Sequence, residues 1–511
     1  MKKLLTLALV LAIVAGAFLV TGCPRGAVGR TDTDRLVVAA AGFPANLSPA
    51  MTNDMPSAQI HYIVFDTLVV QDYNMDILPG LAYRWAWDDP SNLRVFLRRD
   101  VLFHNGDTMR ASDVVFSLER AAASPHVGHI TGMISGAQAI NDYEVLITLH
   151  YPFTPFLSHI AHSATSIVNE RAVTEMGETA HSLAPVGTGQ YRVTSVVTGD
   201  RIEMTRWDQF WGQPARIRDL TWRSITDGAT RLLELETGGI DIMLGLQTMP
   251  HDIPRTAANP DLTVFRQMSL ATNYIGFNAS VVPFNDVRVR RAVYYALDLD
   301  AINRAVNPGV GETGRGPINS MVWGSIAYRL PPIEFNPARA RQLLAEAGFP
   351  NGFSTAIYVN EGNAVRADLA VAMQHQLDAV GITAEVRIVE WGAYLDLTAR
   401  AEHTMFVLGW VSVTGDPDYG LHPLFHSENF GAAGNRTFWS DAELDRLLDE
   451  GRAETDPARR LQIYDEAQRI IHREVPWIFW HTGENVHATR ADVRGFQTHP
   501  ADRIAAWDVY F

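Results

Sequence analysis

Residues 93–107 read LRVFLRRDVLFHNGD, and residues 112–117 read SDVVFS. In residues 93–97, apolar and polar side chains partly alternate, which is typical of a β-strand with one buried and one wetter face. Residues 144–149 show the same partial alternation, and residues 35–40 begin as a third strand-like run. These runs predict β-strands in the first third of the chain.

Helices are predicted from their ends. Asn336-Pro337 is an N-cap followed by proline at the first helical position, and the helix runs to Gly348, a residue typical of the position after a helix. Asp456-Pro457 opens a second helix, whose predicted apolar face is Leu461, Tyr464, Ala467, Ile470 and Ile471. A third helix begins near Asp286 and buries Val289, Ala292, Val293 and Ala296. Strands alternating with capped helices predict an α/β fold rather than a sandwich or a bundle.

The composition excludes several functions. The chain is 47% hydrophobic and 19% charged, too apolar for a disordered protein, and its formal net charge of -15 opposes nucleic-acid binding. Lys2 and Lys3 are the only lysines. A Walker A loop and Schiff-base catalysis both need a lysine, so neither can occur once the N-terminus is cleaved, and any ATP hydrolysis belongs to a partner.

The N-terminus predicts export and lipidation. Two lysines precede the mostly aliphatic residues 4–20, and Val20-Thr21-Gly22-Cys23 resembles a bacterial lipobox around the single cysteine. We expect residues 1–22 to be a lipoprotein signal peptide, Cys23 to carry the lipid, and residues 23–34 to form a tether. The alternative is an uncleaved anchor helix, and either places residues 35–511 outside the cytoplasm.

Enzymatic and metal motifs are weak. Residues 309–314 fit GxGxxG, but prolines flank the segment, which predicts a mobile loop rather than a dinucleotide site. The pairs His159/His162 and His422/His426 have ligand-like spacing, yet packed or solvated histidines are the favoured interpretation. Asp416 and Asp418 flank Pro417, which favours a turn, and no nucleophile motif completes a mechanism. We expect no catalytic residues, no metal and no cofactor.

Aromatic residues are the remaining signal. Twelve tryptophans are present, and Trp391, Trp410 and Tyr419 stand in glycine-punctuated, loop-like segments. Planar side chains with a polar edge suit a cleft that encloses a polar organic ligand, although most of the tryptophans must serve ordinary core packing.

Five segments, in this order, resemble the extracytoplasmic solute-binding proteins of family 5, the peptide/nickel class of ATP-driven importers. They are FLRRDVLFHNGD at 96–107, SDVVFS at 112–117, PVGTGQY at 185–191, FNDVRVRRA at 284–292 and ARQLLAEAGFPNG at 340–352. Gln190 departs from the family, which usually has proline there.

The resemblance implies a two-lobed, type II periplasmic-binding-protein-like α/β fold with an extra subdomain. Lobe I would comprise residues 35–65, 183–273 and 487–511, the subdomain residues 66–182, and lobe II residues 274–486. Ligand would lie between the lobes, and closure would form the surface that an ABC permease, with its ATPase subunits, recognises. We expect a monomer that meets the membrane through its lipid alone.

The resemblance also guides the choice of ligand. In free-peptide binders of the family an aspartate holds the ligand ammonium; here that position is Val413. The arginine that grips the peptide carboxylate falls near Asn360, with Arg366 the closest arginine. Residues 409–420, GWVSVTGDPDYG, followed by PLF, look like the glutathione-binding branch. A metal chelate or an oligosaccharide on the same fold, or an extracytoplasmic hydrolase, are the alternatives.

The predicted ligand site combines these segments. Asp54, Asp416 and Asp418 are the candidate replacements for the missing carboxylate. The predicted ligand-binding residues are Phe43, Asn53, Asp54, Asn360, Arg366, Trp391, Trp410, Val413, Thr414, Asp416, Asp418 and Tyr419.

Overall fold

The computed structural model describes residues 32–511, so the predicted signal peptide, Cys23 and most of the tether lie outside the described residues. The strands in chain order are β1 Arg35–Ala40, β2 Val69–Gln71, β3 Ile77–Pro79, β4 Ala82–Asp89, β5 Asn92–Leu97, β6 Ile134–Asn141, β7 Glu144–Leu149, β8 Tyr191–Val197, β9 Arg201–Arg206, β10 Asp219–Ser224, β11 Ile242–Met243, β12 Leu262–Met268, β13 Ala271–Phe277, β14 Glu312–Thr313, β15 Phe353–Asn360, β16 Ile382–Val389, β17 Met405–Val411, β18 Trp477–Thr482 and β19 Glu484–Arg490.

The α-helices are Met55–Val64, Ala111–Ala122, Gly128–Thr131, Phe156–His159, Glu170–Met176, Glu178–His181, Gly228–Thr237, Ile253–Ala257, Val287–Tyr295, Leu299–Val306, Pro337–Glu346, Ala364–Asp378, Trp391–Ala399, Pro417–Phe425, Ala442–Ala453 and Pro457–Glu474. Within residues 32–511, none of them is long and apolar enough to cross a bilayer.

Two large sheets form the body of the molecule. The first has the order β12-β19-β11-β1-β10-β9-β8, with β1 parallel to both of its neighbours. The second has the order β14-β18-β13-β17-β15-β16, with β13 near its centre. Each sheet packs on its own hydrophobic core, so the molecule is a two-lobed α/β protein, as predicted.

A smaller antiparallel sheet, β4-β5-β7-β6, builds a third region with its own core. Along β5 and β7 every second residue is buried, which confirms the predicted two-faced strands. The division of the chain into lobes at the residues given above stays a prediction.

The two large sheets are joined by two short connections. Ser269 and Leu270 link β12 to β13, and Gly483 alone links β18 to β19. The two connections lie side by side, because the backbone N–H of Ser269 donates to the Gly483 carbonyl oxygen at 3.0 Å.

The three predicted helices are confirmed, with one error. The side chains of Asn336, Asp456 and Asp286 each accept a backbone N–H and cap the helices that follow. Tyr464, Ala467, Ile470 and Ile471 are buried, but Leu461 is 38% exposed and therefore was wrongly placed on the buried face. Arg460 and Ile463 lie on that face instead.

Three segments expected to be loops are regular. Residues Glu312–Thr313 of the glycine-rich segment form β14, which pairs with β18. Pro417 begins a helix that Asp416 caps, rather than a turn. Trp391 also begins a helix, and Trp410 lies in β17, so the aromatic residues are fixed on rigid elements.

Candidate functional site

A cleft of about 860 Å³ lies between the two large sheets. Its walls come from the first sheet and its flanking helix Met55–Val64, and from β13, β15, β17 and their helices on the other side. The structure brings together there nine of the predicted ligand-binding residues: Phe43, Asn53, Asp54, Asn360, Arg366, Trp391, Trp410, Val413 and Tyr419.

Aromatic side chains form part of the wall. The Trp410 indole N–H donates to the Tyr419 carbonyl oxygen at 2.9 Å, and the two ring centroids are 5.2 Å apart. Trp391 stacks on the buried Tyr394 with centroids 6.2 Å apart. The half-buried rings of Trp391 and Trp410 offer flat apolar surfaces to a ligand without needing to reorganise.

Tyr419 also ties the second lobe to the rest of the molecule. Its hydroxyl lies 3.0 Å from His162 Nε2 and donates to Asn53 Oδ1 at 3.3 Å. Because His162 Nδ1 accepts the backbone N–H of Ala164, Nε2 carries the proton and donates to Tyr419.

Three arginines that line the cleft lack a carboxylate partner in residues 32–511, namely Arg231, Arg366 and Arg436, and of these Arg231 is fully buried. Arg366 Nη1 donates to Asn360 Oδ1 at 2.7 Å, and Arg436 Nη1 donates to Leu395 O and to Thr398 Oγ1. Within residues 32–511, neither of these last two guanidinium groups forms an ion pair, and Arg366 Nε is shielded from solvent without a hydrogen-bond acceptor. Burial lowers the pKa of both guanidinium groups. These two charges are available to an anionic group on a ligand.

Thr414, Asp416 and Asp418 do not line the cleft, which departs from the sequence prediction. Both carboxylate oxygens of Asp416 accept from Arg460 at 2.7 Å. Asp418 is 1% exposed, and its Oδ1 lies 3.2 Å from Arg452 Nε. Structural ion pairs therefore occupy Asp416 and Asp418, two of the three carboxylates that were expected to bind the ligand ammonium in place of the missing aspartate.

Three buried histidines lie where the region of the small third sheet meets the helix Pro417–Phe425. His129 Nε2 is 3.0 Å from Asn53 Nδ2, and His159 Nε2 is 3.6 Å from Asp418 Oδ2. Burial lowers the pKa of His129 to about 3 and also lowers the pKa of His159 and His162. All three are neutral when this contact is formed.

His422 and His426 are packed, in agreement with the favoured interpretation. Their rings stack with centroids 4.5 Å apart, and Asp449 Oδ1 lies 3.7 Å and 3.6 Å from the two Nε2 atoms. This is a spacing that a metal ion could use. However, Arg452 Nη1 donates to His422 Nε2 at 2.8 Å, so a cation already faces the lone pair that a metal would need.

Arg436 and Asp502 also line the cleft, although neither is among the residues predicted from the sequence. Arg436 follows a glycine-containing turn and Asp502 lies in an irregular C-terminal segment, so neither carries a periodicity or capping signal. Only the tertiary fold brings them to the cleft.

Two α/β lobes around a cleft of ligand size, lined by aromatic rings and unpaired charges, define a two-lobed solute-binding protein. Residues 76–432 match the profile of bacterial extracellular solute-binding proteins, family 5 Middle. The chain belongs to this family of solute-binding proteins. The expectation that it has no catalytic activity stays a prediction.

Individual proteins show the same relationship. The glutathione-binding protein GsiB of Salmonella choleraesuis (strain SC-B67) is 30% identical over 479 residues, 91% of this chain and 92% of that protein. GsiB of Pectobacterium atrosepticum is 29% identical over 480 residues, 91% of each chain. The periplasmic binding protein DppA of Helicobacter pylori, solved with the peptide STSA, has a TM-score of 0.88 at 26% identity and covers 93% of this chain and 98% of its own.

Proposed function

We propose that this chain is the receptor of an ABC importer for peptides and that its ligand is glutathione or a related γ-glutamyl peptide. The observation that carries the ligand is the pair Arg366 and Arg436, two cleft arginines without a carboxylate partner in the described part of the chain. Glutathione has two carboxylates, and each would remove the cost of leaving a guanidinium partly buried without a counter-charge.

Val413 supports the same ligand. It is buried and lines the cleft at the position where free-peptide binders of the family are expected to hold the ligand ammonium with an aspartate. Ordinary dipeptides would lose hydration of their ammonium group there without gaining a carboxylate. A γ-glutamyl peptide carries its amine on a side branch and can place it elsewhere in the cleft. The glutathione-binding relatives add support at modest identity.

Calorimetry with reduced glutathione, oxidised glutathione, a tripeptide and Ala-Ala tests the ligand. We expect glutathione to bind at least tenfold more tightly than Ala-Ala, and Val413→Asp to improve dipeptide affinity. Tight binding of Ala-Ala without binding of glutathione would refute the proposed ligand while leaving the receptor class intact.

We also propose that the mature protein is anchored outside the cytoplasm through lipid on Cys23, which holds it near its permease and ATPase partners. Acyl chains contribute about 0.8 kcal/mol per buried CH₂ to membrane binding. Cys23→Ala is expected to abolish both lipidation and the cleavage that depends on it. Mass spectrometry of the mature wild-type protein is the measurement, and an unmodified Cys23 there would contradict the anchor.

A further inference from the structure

Asp502 is a cleft carboxylate that lacks a strong partner. It lines the cleft, and its side chain is 18% exposed. Its Oδ2 has a single long contact, 3.4 Å from Gln59 Nε2, and its Oδ1 is buried without a hydrogen-bond donor in bonding geometry.

Asp502 has one histidine and one arginine as near neighbours. His487 Nε2 lies 3.3 Å from Oδ1, and because His487 Nδ1 accepts the Gly245 N–H, the proton on Nε2 faces this carboxylate oxygen. Arg503, the next residue, is directed away: its guanidinium lies 4.5 Å from the Tyr62 ring centroid and donates to Gln71. In the described part of the chain, no arginine forms an ion pair with Asp502.

The other cleft carboxylates differ from Asp502. Asp54 accepts from Ser57 and Thr52 and caps a helix, and Glu484 is paired with Arg266. Glu390 caps the helix that begins at Trp391. Glu361 and Asp396 are exposed, so water can solvate their charges. Among the acids that line the cleft, Asp502 is the one that is largely shielded from water and has neither an arginine partner nor a helix-capping role in the described residues.

We propose that Asp502 binds the α-ammonium of the ligand, an inference that rests on the function proposed above. Asp502 lies against Gln59 of the helix Met55–Val64, which packs on the first sheet, whereas Arg366 lies beside β17 of the second sheet. A zwitterionic ligand with its ammonium at Asp502 and a carboxylate at Arg366 would connect the two walls of the cleft. The position also explains how the chain recognises an amine with Val413 in place of the family's carboxylate.

Asp502→Asn tests this assignment by titration calorimetry with glutathione and with N-acetylglutathione, which lacks the ammonium. The variant should fold, because Asp502 has φ +56° and asparagine tolerates this left-handed conformation well. We expect the wild type to prefer glutathione over the acetylated ligand by at least tenfold. Asp502→Asn should lose at least tenfold in glutathione affinity and show little preference between the two ligands.

Asp508→Asn is the matched control, because Asp508 lies in the same C-terminal segment but does not line the cleft. It should keep the wild-type preference. Equal glutathione affinities of wild type and Asp502→Asn would overturn the role of Asp502 alone. No binding of either ligand to the wild type would overturn the proposed ligand and, with it, this assignment. If Asp502→Asn proves unfolded, Asp502→Glu, which keeps the charge, must retain the preference.

Discussion

At the scale of single residues, this protein uses buried arginines in two ways. Arg460 is 2% exposed and is matched by both oxygens of Asp416. In the described residues the Arg366 side chain donates only to the Asn360 amide oxygen, and burial lowers the pKa of its guanidinium. The first arrangement stabilises the fold, whereas the second keeps a charge available for ligand.

Arg366→Gln and Arg460→Gln should therefore have opposite effects. Removing Arg366 leaves no carboxylate unpaired, so we expect an unchanged or higher melting temperature and a loss of about 2 kcal/mol or more in glutathione binding, roughly 30-fold. Removing Arg460 leaves Asp416 without its partner, so we expect unfolding to become easier by about 3 kcal/mol or more with ligand affinity unchanged in the folded fraction. Calorimetry and thermal melts measure both; a strong loss of stability in Arg366→Gln would contradict this division of roles.

Single residues also show what the sequence could reveal. Trp410 and Val413 were predicted from a segment that resembles the family, Arg366 as the arginine closest to the aligned position, and Trp391 from its glycine-punctuated aromatic segment. Asp416 and Asp418 were expected to face the ligand, but their partners Arg452 and Arg460 lie more than thirty residues later in the chain. No local pattern shows which carboxylate a distant arginine will neutralise.

At the scale of secondary structure, the caps at Asn336 and Asp456 were read correctly because apolar residues at helical spacing follow them. Asp416-Pro417 is the same cap, yet Gly420 and Pro423 within the next residues weaken the helical pattern. Tertiary packing decides the outcome here, since every residue from Pro417 to Phe425 is buried.

Strand β17 positions Arg366 through a glycine. A Cβ atom at Gly409 would lie 2.7 Å from Asn273 Oδ1 and 3.1 Å from Arg366 Nη2, so Gly409→Ala must displace one of these side chains. We expect the affinity for glutathione to fall about tenfold, equivalent to about 1.4 kcal/mol. Gly136→Ala in β6 is the matched control, because no atom lies within 4 Å of its added Cβ. Equal glutathione affinities of Gly409→Ala and wild type in calorimetry would show that the site has more room than the structure indicates.

At the scale of the whole molecule, contacts between the regions depend on neutral histidines. Three histidines of the region around the small third sheet lie at its boundary with the rest of the molecule: His129, His159 and His162. They face Asp418, Arg452, Tyr419 and Asn53 on the other side. The sequence predicted that His159 and His162 were packed or solvated, but not that they lie on a boundary, because their partners come from a distant part of the chain.

Acid should destabilise this boundary. Burial lowers the pKa of His129 to about 3, whereas a histidine in the unfolded chain titrates near 6.5. The folded state therefore binds fewer protons, and stability is retained above about pH 6.5 and lost as pH falls toward 3, by at most about 1.4 kcal/mol per pH unit for this residue. Thermal melts between pH 7.5 and 5 should show a shallower loss for His129→Gln than for wild type. The exposed His251, changed to Gln, should keep the wild-type slope. If His129→Gln lost stability with falling pH as steeply as the wild type, His129 would not be a source of this acid sensitivity.

The two connections between the large sheets have a mechanical consequence. Ser269 and Gly483 lie side by side and share a backbone hydrogen bond, so the two connections form a two-strand hinge. Such a hinge restrains the translation and twisting of one lobe relative to the other but permits rotation about the line that joins the two connections. The lobes would then have a single easy degree of freedom, the closure angle between them. Solutes of different size would halt closure at different angles along the same path. A membrane partner that detects only the end of that path would reject a half-closed receptor, whatever solute it holds.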